Sequence, residues 1–484
     1  MLPENQDARV NQAAGTGTAV AGKNGFSIQE LRQAFNGSVI APGDEGYEKG
    51  RATFYGGFDH RPAAIIRPKN AQEVARAVVY AREHGMDVSV RSGGHSVAGH
   101  SVTDGGIMID LREMKALDID VKNRTVWAET GLTAGEVTNA AARHGLAVGF
   151  GDTASVGIGG ITLGGGVGYL SRKYGLTIDS LLAAEVVTAD GQILYTDASN
   201  HPDLFWAIRG GGGNFGVATR FKFQLHEVDE VFGGILILPA TPEVIEGLVD
   251  VAGAAPEELT GIFNIMPAPP MPFVPEAVYG QLIVMAVMVY AGPPEEGQRV
   301  VAPFRALAEP LADMLRPMRY PEIYFPEEEG SEDYHPMAAG LTAFMDDVDR
   351  SSAEKIVHYL QASDAPMRVG QIRVLGGAIA RVPEDATAFA NRKRNIMLGI
   401  YAFYTGEADR DARLAWAREF AREVQRGERG AYVNFLADEG EARLREAYPG
   451  QTWERLREIK ARYDPTNLFH LNQNIPPTVN GGGQ

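Results

Sequence analysis

The stretch 87–110, DVSVRSGGHSVAGHSVTDGGIMID, constrains this chain more than any other. Val88 and Val90 alternate as in a short strand, Ser92, Gly93 and Gly94 form a turn, His95 follows, and 107–111 reads as a second strand. Glycines between strands let the backbone approach a ligand, and successive N–H groups can then point into one concavity that holds a phosphate. Taken alone, a histidine at the lip of such a turn is more commonly a hydrogen-bonding surface residue than a functional one. Two further stretches shift that balance: 151–169, GDTASVGIGGITLGGGVGY, and 463–477, YDPTNLFHLNQNIPP.

A chain of 484 residues exceeds one ordinary domain, so two or three compact units are expected. The net charge is −17 and no basic stripe is visible, which argues against nucleic acid as a partner. There are no cysteines, which excludes disulfides, thiolate metal sites and a cysteine nucleophile. No metal site is expected. The first 25 residues lack the basic start and apolar core of a secretion signal, and no run approaches the roughly 18 apolar residues of a membrane span. The expectation is a soluble cytoplasmic protein with a mobile tail over 1–25, no membrane partner and an open oligomeric state.

Residues 26–45 read as a short helix capped by Ser27 and a strand carrying Val39 and Ile40. Residues 63–66 form a strand. A capping box at Asn70 and Glu73 then starts a helix whose apolar face is Val74, Ala77, Val78 and Ala81, closed by Gly85. This βαβ-like unit predicts a mixed α/β layer. Strands 107–111 and 125–129 lead to a helix over 133–144 with a Thr133/Glu136 box. Residues 183–188 and 192–196 flank Asp190-Gly191, the signal of a type I′ hairpin. From about 231 the texture changes. Apolar strands (235–238, 281–290) alternate with amphipathic helices (295–314, 410–426). A proline-rich loop over 267–275 reads as a stiff pocket rim, and the acidic 327–333 as a solvated loop.

Gly211, Gly213 and Gly216 match the dinucleotide fingerprint literally, but no apolar strand precedes them and no suitably spaced acidic residue follows. There is no GxxxxGK[ST] phosphate loop. The motifs instead arrive in the order of a known family: RSGGH at 91–95, the glycine run at 151–169, RGGGGNFG at 209–216, and YDPTNLF…NQNI towards the end. In these four features the chain resembles the flavin-linked oxidoreductases of the vanillyl-alcohol-oxidase (PCMH-type) fold, in the berberine-bridge-enzyme-like branch. The resemblance covers about 45–230 and 430–477. It implies an α+β chain: a two-part FAD-binding domain over 26–230, a substrate domain with a large antiparallel sheet flanked by helices over 231–430, and a return to the FAD domain over 431–484.

The resemblance further implies that Arg91, Ser92, Gly93, Gly94, Ser96 and Gly99 cradle the FAD diphosphate while His95 is bonded to the flavin. Many relatives carry a second link from a cysteine; here that place is Thr153, so one histidyl link is expected. Val156 occupies the position that in relatives governs oxygen access, and valine there goes with oxidases. Gly157, Gly160, Gly164, Gly165, Gly168 and Tyr169 are expected beside the cofactor, with Asn472 and Asn474 closing the site. The implied reaction takes hydride from a carbon bearing OH or NH of a small molecule such as a sugar, an amine or a secondary metabolite, with O2 as acceptor. A dehydrogenase using an organic acceptor and a non-catalytic flavin carrier are the alternatives.

Abstraction from an alcohol calls for a base. In relatives the base closes a Y-x-N-Y stretch, facing a carboxylate or similar group; here those positions are Phe435 and Leu398, both apolar. Gln371 and Arg373 alternate onto one face of 369–374. Two roles are open for Arg373: lowering the pKa of Tyr432 or Tyr401 to make a base, or holding a substrate carboxylate or phenolate.

Overall fold

In the computed structural model, residues 26–35, 39–324, 335–427 and 429–478 are described. The tail over 1–25 and the acidic stretch 327–333 lie outside them.

The glycine-and-histidine turn hangs from a four-stranded sheet. Its strands run in the order Val39–Ile40, Ala64–Ile66, Ile107–Asp110, Val88–Arg91, and the last three are parallel. Parallel pairing needs a crossover, supplied by helix Ala71–Glu83, whose Val74, Ala77, Val78 and Ala81 are fully buried against Ile66, Ile107 and Ile109. The Asn70 side chain accepts from the Glu73 N–H, but the Glu73 carboxylate turns to the Lys69 N–H, so the reciprocal box is not made. The Thr133/Glu136 box is complete.

A second, antiparallel sheet has the order Leu117–Asp120, Thr125–Glu129, Val217–Gln224, Leu181–Val187, Ile193–Asp197. Its hairpin at Asp190-Gly191 is not type I′, because only Gly191 has positive φ. The Gly191 N–H bonds to the Thr188 carbonyl and the Thr188 N–H to the Gln192 carbonyl, which makes a longer turn with glycine in the left-handed position. One face of this sheet buries Val126, Ala184, Phe221 and Phe223, together with Trp453, Leu456 and Ile459 of helix Gln451–Tyr463. That burial, about 1.5–3 kcal/mol for each large side chain, ties the C-terminal motif to the front of the chain.

The third sheet has eight strands between Glu230 and Tyr404, antiparallel throughout. Helices Pro242–Ala254, Arg350–Ala362 and Arg410–Val424 cover one face. The helix expected over 295–314 stops at Arg305, and Ala312–Asp313 pairs with strand Glu230–Pro239 instead. Pro310 disfavours helical backbone at Glu309, which bars the helix from running on to 314. The proline-rich loop 267–275 packs Ala268 and Val274 into an apolar cluster with Tyr320 and Tyr324 and is not a pocket rim. Among the described residues no helix is long and apolar enough to cross a membrane. The chain is therefore α+β, with a large antiparallel sheet beside a five-stranded, a four-stranded and a two-stranded one among the described residues.

Candidate active site

The three sheets meet around one cavity of about 660 Å³, within the range of small-molecule and cofactor sites. Its inner half is built from the glycine stretches. The Gly93 and Gly157 backbones touch: a Cβ on Gly93 would lie 2.2 Å from the Gly157 nitrogen, and one on Gly157 2.1 Å from the Gly93 nitrogen. Ser92 pins the same junction, donating from Oγ to the Thr130 carbonyl (2.5 Å) and accepting from the Gly159 N–H (3.1 Å). Among the described residues, the N–H groups of 93–97 donate to no protein acceptor and remain available for a ligand. Gly160 faces the cavity, and a Cβ there would meet no protein atom within 4 Å.

His95 lines this half, its ring stacked on Phe54 at 4.2 Å between centroids. Burial pulls its pKa down to about 4 against a hydrogen bond to the Ser155 backbone, so the imidazole is neutral at pH 7. A neutral ring keeps a lone pair on one nitrogen. His100 lines the same wall and is likewise held down to about 4 by burial.

The outer half is walled by the large sheet. Asn264, Gln371 and Arg373 lie on neighbouring strands, with Asn264 opposite Gln371 in register. They form one hydrogen-bonded row. Gln371 Nε2 donates to Asn264 Oδ1 (2.9 Å), and Gln371 Oε1 accepts from Arg373 Nε (3.0 Å) and Nη2 (2.8 Å). Arg373 Nη1 donates to the Val167 carbonyl (3.4 Å), and Nη2 also reaches Asp152 Oδ2 at 2.5 Å. Arg373 is buried, yet its charge is maintained because the Asp152 carboxylate offsets desolvation. Its guanidinium is thus committed to protein partners, which removes it as a holder of substrate carboxylate.

Nor does Arg373 make a base of either tyrosine. Tyr432 is buried, and its Oη accepts from the Gly166 N–H (2.8 Å) and Asn434 Nδ2 (2.9 Å). Burial raises its pKa despite both bonds and Arg373. Tyr401 is raised too, burial again outweighing the arginine, and Tyr55 is pushed up to about 12 by burial. All three phenols are protonated at neutral pH.

The cavity thus gathers His95, Ser92, Gly93, Gly94, Ser96, Thr153, Val156, Gly157, Gly160, Gln371, Arg373, Tyr401, Tyr432 and Asn472. Others have structural work outside it. Arg91 donates to the Gly50 (2.6 Å) and Ala52 carbonyls. Gly99, at φ +71°, makes room for Phe58. Gly164 abuts Asn434, Gly165 faces Phe389 and Tyr432, and Gly168 presses on the Phe150 carbonyl. Tyr169 is buried against Tyr324, and Asn474 lies off the lining with a buried Oδ1 that has no partner. Leu398, the expected facing position, is fully buried in the core and does not reach the cavity. The sequence reading missed Asp152 as a wall residue, although it sits in the 151–169 stretch. Gly212, Gly213 and Asn214, in the 209–216 motif but not singled out there as site residues, line the inner half beside Asn472.

These residues fit FAD. The cavity is large enough, its free amides suit a diphosphate, Gly160 leaves room, and the buried Asn472 Oδ1 has no protein partner. Residues 62–197 match the FAD binding domain family, and 431–476 match the family described as berberine and berberine like. An uncharacterized FAD-linked oxidoreductase of Bacillus subtilis is 33% identical over 459 residues, spanning 91% of this chain and 98% of its own. The (R)-6-hydroxynicotine oxidase of Paenarthrobacter nicotinovorans is 30% identical over 463 residues, spanning 92% and 97%. The crystal structure of 6-hydroxy-D-nicotine oxidase from Arthrobacter nicotinovorans superposes with a TM-score of 0.79 at 27% identity, covering 91% of this chain and 98% of that one. The chain belongs to the berberine-bridge-like FAD-linked oxidoreductases and is an FAD-dependent enzyme.

Proposed function

We propose that the protein is an oxidase that removes hydride from a carbon bearing OH or NH in a small molecule, with FAD held by a single covalent link to His95. When bound, FAD would supply the hydride acceptor and, with O2 as oxidant, the route to hydrogen peroxide. One observation carries the reading: a single cavity joins neutral His95 and Val156 to the polar row of Asn264, Gln371 and Arg373. The amine-oxidising relatives named above support an amine among the substrate classes.

The chain's own residues divide the work. The amides of 93–97 and the backbone around Gly160 hold the cofactor, and neutral His95 offers the lone pair a covalent link requires. Thr153 supplies no thiol, so a second link has no partner. Val156 keeps the wall beside the cofactor thin. Gln371 and Arg373 fix the floor on which substrate lies, and Tyr55, Tyr401 and Tyr432, already protonated, do not serve as bases. The apolar Phe435, 5.4 Å beneath the Arg373 guanidinium, excludes water where relatives have a base. A panel of amines, alcohols and oligosaccharides, read by peroxide release in air, tests the reading. Peroxide with at least one class supports it. Flavin that is bleached anaerobically by substrate but not reoxidised by air within seconds would replace it with a dehydrogenase.

A further inference from the structure

Asp152 is the one carboxylate among the described residues that line the cavity. It stands where the two halves meet, carried by the glycine stretch of the FAD-binding half and paired with Arg373 from the large sheet. Of the hydrogen bonds along its neighbours, one reaches it, from Arg373, and the others run away from it along the row. Asn264 accepts from Gln371, Gln371 accepts twice from Arg373, and Arg373 donates onward to Asp152 Oδ2. The Arg373 guanidinium is therefore spent on protein partners, and Asp152 at its end is an acceptor. Asp152 Oδ1 takes only the Thr153 hydroxyl at 3.2 Å, and the side chain is 27% exposed, so lone pairs remain for a ligand. A carboxylate entering here would meet an anion whose compensating cation is already engaged.

From this, and resting on the oxidase reading for its setting, we propose that Asp152 is the substrate-binding acceptor of the site. It takes a hydrogen bond from the OH or NH of the substrate and selects neutral or cationic donors on an aromatic or otherwise apolar body against carboxylic acids. Tyr55, Phe403, Tyr404 and Phe435 supply the apolar walls for that body.

Three matched probes without a C–H to lose separate binding from turnover: 2-phenyl-2-propanol, 2-phenyl-2-propylamine and 2-methyl-2-phenylpropanoate. Each is titrated into the flavin-loaded enzyme, following the visible spectrum. The alcohol and the amine are expected to bind at least tenfold more tightly than the carboxylate. In Asp152→Asn, which frees Arg373, the carboxylate should tighten at least tenfold and overtake both, whereas Asp152→Glu should keep the wild-type order. If the Asn variant does not take up flavin, Asp152→Ser carries the same expectation. Carboxylate binding that equals or exceeds the donors in wild type, no saturable binding of any probe, or an unchanged order in the neutral variant overturns the proposal. Because no probe is oxidised, these outcomes are independent of whether the wild type releases peroxide, which tests the oxidase reading separately.

Discussion

Tyr432→Phe separates a structural phenol from a catalytic one. The substitution removes one oxygen that accepts two hydrogen bonds inside a buried site. Asn434 Nδ2 retains the Ile161 carbonyl at 3.0 Å, so its loss is partial. The Gly166 N–H has no such substitute. An unsatisfied buried donor costs about 1–3 kcal/mol, and about 2 kcal/mol is expected here. With an unfolding entropy of about 2 cal/mol/K per residue, a chain of this length unfolding as one unit would lose only about 2 °C in Tm. The kinetic expectation is equally specific. A raised pKa leaves the phenol protonated, so its removal should slow anaerobic flavin reduction by less than about tenfold and leave the pH profile in place. Loss of a general base costs about 10²–10⁴-fold. Stopped-flow reduction between pH 6 and pH 10, beside thermal unfolding, reads both quantities. A drop beyond a hundredfold, with disappearance of a rise in rate with pH, would show that Tyr432 is the proton acceptor and that burial does not decide its charge.

Other outcomes follow from the same geometry. Gly160→Ala should leave the flavin-free protein as stable as wild type, since its Cβ meets no protein atom, yet lower flavin retention on purification; Gly157→Ala, with its Cβ 2.1 Å from the Gly93 nitrogen, should impair folding itself. Lys460, fully buried, donates to Asp464 (2.7 Å), the Asn214 carbonyl (2.8 Å) and the Phe469 carbonyl (2.9 Å), so Lys460→Met should cost about 3–5 kcal/mol by stranding the Asp464 charge, measured by denaturant unfolding. His226, stacked on Tyr174, is held down to about 4 by burial, with Arg124 and Lys173 adding to the effect. The unfolded chain takes up that proton from pH 6.5 downwards while the folded one refuses it until about 4. Stability should therefore fall with falling pH through this window, by up to about 1.4 kcal/mol per pH unit for each such histidine. His226→Gln should flatten the slope of Tm against pH; an unchanged slope would refute the assignment.

The inner half of the site was legible because its signals are local. A strand, a glycine turn and a histidine are contiguous at 88–95, and the touching glycines are needed whichever partner they face. Glycine alone does not say whether it clears space for a ligand or for protein. Hence Gly160 and Gly164 read alike in sequence, though one opens to the cavity and the other abuts Asn434. The outer half depends on register between strands about a hundred residues apart. Alternation put Gln371 and Arg373 on one face, but nothing local placed Asn264 opposite Gln371 or Asp152 against Arg373. Without that ion pair Arg373 looked free to act on a tyrosine or a substrate. Burial, the term that raised Tyr401 and Tyr432, is likewise a property of the assembled sheets and not of any short stretch.

Whether this cavity holds FAD through His95 is read most directly in acid. The flavin-loaded protein and its His95→Ala variant are precipitated in acid, and flavin absorbance and fluorescence are compared in pellet and supernatant. Flavin is expected to stay with the wild-type chain and to leave the variant. Flavin released from the wild type, or retained by the variant, would contradict it.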